Sequence, residues 1–141
     1  MLRTALGDRV NQGGSSFMDL VADDIIMDFP FALPGQVTQL NGAKDIAQHL
    51  EALSSLITLD RMSDPIVHVT SDPDVVIVEV DGFGVGLPTG EAYEQSYVCV
   101  ITTRNKRIVY YKDYWNPIVF LRALQGSATI DALIGGSSDA H

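Results

Sequence analysis

The chain is predicted to be an α+β domain, with N-terminal helices packed on a strongly curved antiparallel sheet that encloses a pocket. Helix-type patterns come first along the chain, and four strand-type runs follow one another in the second half. Turn sequences separate these runs, as in a meander. With 141 residues, 46% of them hydrophobic, the chain fits one domain able to bury a substantial core.

The first half predicts two short helices, one strand and one long helix. Residues 2–10 and 16–22 are the short helices, separated by Gly13 and Gly14, with Ser15 or Ser16 as the N-cap of the second. Residues 25–29 form a strand that Pro30 ends, and residues 31–40 are a loop or irregular edge. Residues 42–56 are the clearest helix, because apolar residues recur along them with a 3.6-residue period.

The second half predicts a meander of four strands, which cover residues 66–70, 75–81, 93–103 and 108–115. A last helix follows, which Asn116 caps and Pro117 opens. The strand 93–103 is apolar on both alternations, so both of its faces are predicted to be buried. Its outer face is therefore expected to meet a second copy of the chain in a homodimer.

Composition excludes several classes of function. The net charge of −9 disfavours nucleic acid, since phosphate binding needs a concentrated basic face. No run approaches the ~20 apolar residues of a membrane span, and the N-terminus lacks the basic-then-apolar order of a secretory signal, so a cytoplasmic protein is expected. The single cysteine, Cys99, allows no intrachain disulfide and no cysteine metal cluster. Neither a metal nor a cofactor is predicted.

Asp113 is the leading candidate for a catalytic residue. Alternation along its strand places it with Val109, Tyr111 and Trp115 on one apolar and aromatic face. Desolvation disfavours a charged carboxylate, which raises its pKa toward neutrality. The alternative is that Asp113 only ends the strand or caps the next helix. Asn116 suits that cap better, because it directly precedes Pro117.

Three short sequences carry a resemblance to a known family: Val78-Glu-Val-Asp-Gly-Phe-Gly84, Tyr93-Glu-Gln-Ser-Tyr97 and Asp113-Tyr-Trp-Asn-Pro-Ile-Val-Phe-Leu-Arg-Ala-Leu124. With the order of helices and strands, they resemble the SnoaL-like polyketide cyclase and ketosteroid isomerase group of the NTF2-like superfamily. The greatest likeness is to the phenazine-biosynthesis A/B proteins. The resemblance implies a cystatin-like cone in a single domain, residues 1–141, with its core at about 14–124 and a C-terminal tail at 125–141.

The resemblance also implies roles for two residues. Polyketide cyclases of this group use an aspartate on the last strand as acid/base, and Asp113 stands at the matching position. The phenazine proteins place a histidine of the long helix at the pocket, and His49 is similar to it. The alternative for His49 is a packed helix histidine with satisfied ring nitrogens. Ketosteroid isomerases have their base just before a proline, where this chain has Phe29, so their mechanism is not expected here.

Aromatic and aliphatic residues on the predicted inner surfaces are candidates for the pocket wall, although each could equally be plain core. They are Phe29, Phe31, Leu53, Tyr97, Tyr111 and Trp115. Two further carboxylates are expected to face away from it. Glu79 alternates against an all-valine face, and Asp28 lies opposite Phe29.

Three hypotheses for function follow. The first is a cofactor-independent acid/base enzyme of the cyclase, isomerase or condensing type, in which Asp113 and His49 act on an apolar cyclic carbonyl compound. The second is a carrier that binds such a ligand without turnover. The third is a dimeric interaction module with a vestigial pocket. Because fold alone does not decide among them, the pocket must.

Overall fold

Four helices and seven strands are formed by residues 1–135, which are the part of the chain that the computed structural model describes. They are α1 (Leu2–Leu6), β1 (Val21–Asp28), β2 (Gln39–Asn41), α2 (Ala43–Ser54), β3 (Arg61–Met62), β4 (Ile66–Val69), β5 (Val75–Val85), β6 (Ala92–Arg104), β7 (Arg107–Trp115), α3 (Pro117–Gln125) and α4 (Ser127–Gly135). Short 3₁₀ turns occupy Gly7–Arg9 and Phe17–Asp19. The predicted α+β class is confirmed.

All seven strands belong to one curled, unclosed sheet with the order β2-β1-β7-β6-β5-β3, and β4 pairs with β5 beside β3. The meander β5, β6 and β7 is antiparallel, as predicted. Strand β1 joins it in parallel with β7. The long strands β6 and β7 therefore lie at the centre of the sheet, and their inner face carries Tyr97, Asp113 and Trp115.

A bulge in β7 changes one face assignment made from alternation. Tyr110 pairs with Thr102, but Ile108 pairs with Thr103, so Val109 is an extra residue between the two pairs. Ile108 is fully buried, although strict alternation placed it opposite the buried Tyr111. The bulge lets both side chains point into the core. Beyond Tyr110 the pairing is regular, so alternation holds for Asp113 and Trp115.

The second predicted helix, residues 16–22, is wrong in its C-terminal half. Only a 3₁₀ turn forms at Phe17–Asp19, where Ser16 and Asp19 make a capping box. Strand β1 then begins at Val21, which pairs with Ile108. Both Val21 and Ala22 are buried. Pairing with β7 and burial against the core therefore outweigh a short local helical pattern.

The glycine-rich segment after residue 81 continues β5 rather than breaking it, so β5 is longer than the predicted strand. Its last residues pair with β3, with Arg61 opposite Phe83. A Cβ atom added at Gly84 would lie 1.8 Å from the carbonyl oxygen of Thr58. Glycine is needed here because the chain that follows α2 crosses the strand at this short distance.

The buried core fills the end of the molecule near α1, between the N-terminal segment, α2 and the sheet. Its fully buried members include Leu6, Ile25, Ile46, Val76, Val78, Ile101 and Ile108. A second, smaller cluster joins Tyr93 of β6 to Phe120 and Ala123 of α3. Of the predicted apolar stripe on α2, only Ile46 is buried, and Leu50 is 38% exposed. Leu53, Leu56 and Ile57, farther along the chain, instead line a cavity between α2, α3 and the sheet.

The C-terminal helices extend past the last predicted element. The Asn116 side chain accepts a hydrogen bond from the Ile118 backbone N–H at 3.0 Å, which confirms the predicted cap of α3. Helix α4 lies in the stretch 125–141 that was predicted to be a tail, and Arg122 binds Asp131 at 2.8 Å across the two helices. Residues 136–141 of that stretch lie outside the described residues. No helix within residues 1–135 has the length and apolar character needed to cross a membrane.

Candidate functional site

A cavity of about 340 Å³ lies between α2, α3 and the inner face of the sheet. Its wall is mainly aromatic and aliphatic: Phe29, Gly35, Gln36, Val37, His49, Ala52, Leu53, Leu56, Ile57, Tyr93, Tyr97, Asp113, Trp115, Phe120 and Leu124 line it. Asp113 is the one carboxylate among these residues, and none of them is Lys or Arg. A cavity of this size and character suits an uncharged small molecule with few polar groups.

Asp113 reaches this cavity because β7 is regular after its bulge. It lies opposite Cys99 of β6, and its side chain points to the inner face. Burial raises the pKa of its carboxyl to about 7, because low-dielectric surroundings disfavour the charged form. The Cys99 thiol, 3.7 Å from Asp113 Oδ1, opposes this rise by donating a weak hydrogen bond. The carboxyl can therefore hold or release a proton near neutral pH.

Cys99 and Tyr111 lie behind Asp113, in the core. The Tyr111 hydroxyl donates to Cys99 Sγ at 3.1 Å, and both side chains are buried. Burial raises the pKa of the Cys99 thiol to about 12 and that of the Tyr111 hydroxyl well above its ordinary value. Both groups are thus neutral near pH 7. Of these three neighbouring side chains, Asp113 is the one that changes charge there.

Three hydrogen-bonded polar side chains of β6 also lie beside the cavity. The hydroxyl oxygens of Tyr93 and Tyr97 are 3.2 Å apart, and Gln95 Nε2 donates to the Tyr93 hydroxyl at 3.3 Å. Gln95 also exchanges two hydrogen bonds with the backbone of Asn116. Burial raises the pKa of both tyrosines, so they remain protonated at neutral pH.

His49 lines the cavity from α2. Its ring is 5.2 Å from the ring of Phe29 between centroids, with an angle of 32° between the planes. Burial lowers the pKa of His49 below its ordinary value, which favours the neutral imidazole. No described residue forms a hydrogen bond with either ring nitrogen, and the residue lines the cavity, so His49 can form a hydrogen bond with a bound molecule.

The structure brings six of the eight sequence-predicted site residues to one cavity: Asp113, His49, Phe29, Leu53, Tyr97 and Trp115. Tyr111 and Phe31 lie elsewhere. Tyr111 is 6% exposed and packs edge-on against Phe17, because the core closes before the cavity begins. Phe31 is 56% exposed and contacts Tyr114 on the outer face, because the chain turns outward after Phe29 and Pro30.

Several wall residues were missed by the sequence analysis. Tyr93 was not assigned to the pocket, although it alternates in step with Gln95 and Tyr97 on β6, and that pattern could have revealed it. Leu124 on α3 and the loop residues Gln36 and Val37 also line the cavity. The loop carries no periodic pattern, so nothing in the sequence signals its position.

Asp28 and Glu79 both face away from the cavity. Asp28 accepts hydrogen bonds from the Tyr110 hydroxyl and from Gln39 Nε2, and the former is the larger cause of its lowered pKa. Glu79 binds His68 at 2.6 Å on the outer side of the sheet. Within residues 1–135, no group of three or more His, Cys, Asp or Glu side chains is arranged to hold a metal ion.

Comparison with known proteins identifies the family. The model of the SnoaL-like domain matches residues 7–111. An uncharacterized PhzA/B-like protein of Pseudomonas aeruginosa is 32% identical over 127 residues, which are 90% of this chain and 89% of that protein.

Solved structures share the fold. A candidate isomerase from Bacillus subtilis is 33% identical, with a TM-score of 0.76 over 90% of this chain and 88% of its own. A phenazine biosynthesis-related protein from Pseudomonas aeruginosa is 22% identical, with a TM-score of 0.67 over 88% of this chain and 80% of its own. The resemblance inferred from the three short sequences is therefore confirmed. This chain belongs to the SnoaL-like family and has the NTF2-like fold.

Proposed function

We propose that this protein is an acid/base enzyme of the cyclase, isomerase or condensing type that acts on an apolar cyclic molecule bearing a carbonyl group. Asp113 is the proposed proton acceptor and donor, and His49 is proposed to assist it. One observation carries the proposal: a carboxyl group whose pKa is raised to about 7 lines an aromatic cavity of about 340 Å³.

The chemistry follows from these properties. Near neutral pH, a carboxyl with this pKa is present in both protonation states, so it can take a proton from a carbon next to a carbonyl and return it elsewhere. The apolar wall orients the molecule and excludes water. Neutral His49 then acts as a hydrogen-bonding group toward the substrate rather than as a charge.

The charge of the cavity narrows the class of substrate. Without Lys or Arg on the described wall, a bound carboxylate or phosphate would have no cation to pair with. Ionised Asp113 would also repel an anion. The proposed substrate is therefore uncharged.

Proton exchange tests this proposal without knowledge of the natural substrate. Decalone, a saturated bicyclic ketone, is incubated with the protein in deuterated water, and loss of the proton signals next to its carbonyl is followed by NMR. We expect wild type to accelerate this exchange and Asp113→Asn to abolish the acceleration. Equal exchange by both proteins would contradict the role of Asp113.

A carrier is the second candidate function. Among the described residues, His49 and Asp113 form no hydrogen bond with each other. The two side chains are therefore not arranged as a proton-transfer pair, and this favours a carrier. Binding of decalone without accelerated exchange would support the carrier. The module with a vestigial pocket fits less well, because the cavity is open rather than collapsed.

A homodimer through the outer sheet face is also proposed, in a cytoplasmic protein. In the single chain, Ile66 is 59% exposed and Val98 is 39% exposed. Both lie on the outer side of the sheet, where β4 and β6 flank β5. A dimer would bury on the order of 800 Å² per subunit there. Light scattering that gives the mass of a monomer at micromolar concentration would contradict this assembly.

A further inference from the structure

The side-chain amide of Gln95 has one possible orientation. Its Oε1 accepts from the Asn116 backbone N–H at 2.9 Å, and its Nε2 donates to the Asn116 carbonyl oxygen at 2.9 Å. A flipped amide would set donor against donor and acceptor against acceptor. The second N–H of Nε2 is left to donate to the Tyr93 hydroxyl at 3.3 Å.

This orientation favours one direction for the next hydrogen bond, which either tyrosine could donate on distance alone. The Tyr93 hydroxyl accepts from Gln95, and Tyr93 is only 2% exposed. Its own proton therefore needs an acceptor, and the Tyr97 oxygen at 3.2 Å is the one that the described residues supply. If Tyr97 donated to Tyr93 instead, the Tyr93 proton would have no acceptor among the described residues and would point toward the cavity, which Tyr93 also lines.

The consequence concerns the proton of Tyr97. With Tyr93 as the donor, the O–H of Tyr97 remains free to donate, and Tyr97 lines the cavity. Tyr97 pairs with Trp115 and Cys99 pairs with Asp113, so Tyr97 and Asp113 are diagonal neighbours on one face. Backbone positions related in this way are about 7 Å apart.

We infer that Tyr97 is the hydrogen-bond donor that holds the carbonyl oxygen of the substrate, and that Gln95 and Tyr93 are positioning residues that direct its proton into the cavity. This inference rests on the proposed function. A carbonyl oxygen bound to Tyr97 would leave the adjacent carbon atoms on the side of Asp113. The same hydroxyl would stabilise the negative charge that develops on that oxygen when a proton is removed.

The test uses decalone labelled with carbon-13 at the carbonyl. Trp115 lines the cavity and is the chain's single tryptophan, so its fluorescence reports binding of this ketone. A hydrogen bond to the carbonyl moves its carbon-13 resonance downfield. We expect Tyr97→Phe to weaken binding about fivefold and to abolish the downfield shift.

Two further variants complete the test. Tyr114→Phe is the matched control, because Tyr114 contacts Phe31 on the outer face, and it should change neither readout. Tyr93→Phe leaves Tyr97 able to donate but removes its orienting partner, so an intermediate carbonyl shift is expected.

The outcomes separate this inference from the proposed function. Unchanged binding and carbonyl shift in Tyr97→Phe would overturn the inference alone. Failure of wild type to bind decalone would overturn the proposed ligand class together with it. A wild-type carbonyl shift that remains unchanged in Tyr93→Phe would overturn the positioning role of Gln95 and Tyr93.

Discussion

The two ends of helix α2 face different interiors. Ile46, near its start, is fully buried in a core of aliphatic side chains from β1, β5, β6 and β7. Leu53, near its end, is only partly buried and borders the cavity. The same helix therefore closes a packed core at one end and forms the wall of a binding site at the other.

The inner face of β6 shows the same division. Ile101 lies at the packed end, whereas Tyr97, Gln95 and Tyr93 follow toward the cavity end. Cys99 lies between the two regions and contacts both Tyr111 and Asp113. Polar groups are placed where helices leave space for a ligand, and aliphatic groups are placed where they do not. The fold thus separates the residues that stabilise it from those proposed to act on a substrate.

The largest expected effect comes from replacing one side chain near each end of helix α2 by alanine. Ile46→Ala should lower the free energy of unfolding by about 3 kcal/mol, because it removes fully buried contacts and leaves a void. Leu53→Ala, on the same helix, should lower it by only about 1 kcal/mol, because that side chain already borders a cavity. Urea denaturation of both variants measures the difference. Equal losses would break the distinction between the two ends.

The next effect concerns the charge of Asp113. Its pKa of about 7 exceeds the ordinary aspartate value of 3.8, so between these pH values the unfolded chain loses a proton that the folded chain retains. Stability should therefore fall as pH rises from about 4 to about 7. Asp113→Asn lacks this penalty and should be more stable than wild type at pH 8, by on the order of 2 kcal/mol. Thermal and urea denaturation of both proteins at about pH 4 and at pH 8 tests this, and a variant less stable than wild type at pH 8 would indicate a structural aspartate.

A smaller effect is expected from the thiol beside Asp113. Cys99→Ala removes the hydrogen bond that opposes the raised pKa, so the pKa of Asp113 should rise further. Cys99→Ser supplies a stronger donor and should lower it. Each shift should be about one unit or less. Carbon-13 NMR titration of the carboxyl measures both, and shifts in the same direction would show that Cys99 does not act on Asp113 as a donor.

The smallest effect is expected on the outer face. Glu79→Gln weakens an exposed contact with His68, in which both side chains are about half exposed. Exposed pairs of this kind contribute little, so the free energy of unfolding should change by less than about 0.5 kcal/mol. The variant is a control for Asp113→Asn, since both replace a carboxylate by its amide on the sheet. A change as large as that of Asp113→Asn would remove the contrast between the two faces.

Much of the fold and part of the site could be predicted because alternation and helical periodicity report burial. The long helix, the meander and the Asn116 cap follow from local pattern. The burial of Val21 and Ile108 does not follow from local pattern. A strand pairing and a bulge, both of which involve distant residues, determine the environment of these two side chains.

At the site, the strand pattern predicted the face that carries Asp113 but not where along that face the cavity begins. Tyr111 and Tyr97 share that face, yet only Tyr97 reaches the cavity. The packing of the N-terminal segment decides this, as the contact between Phe17 and Tyr111 shows. A local pattern contains no information on such a contact.

The carboxyl of Asp113 is expected to change its protonation near neutral pH within the cavity. Direct titration tests it: the protein is labelled with carbon-13 at its aspartate carboxyls, and the Asp113 resonance is assigned by its absence in Asp113→Asn. We expect a midpoint at about 7. A midpoint near the ordinary aspartate value of 3.8 would contradict it, because the carboxyl would then be ionised throughout the neutral range.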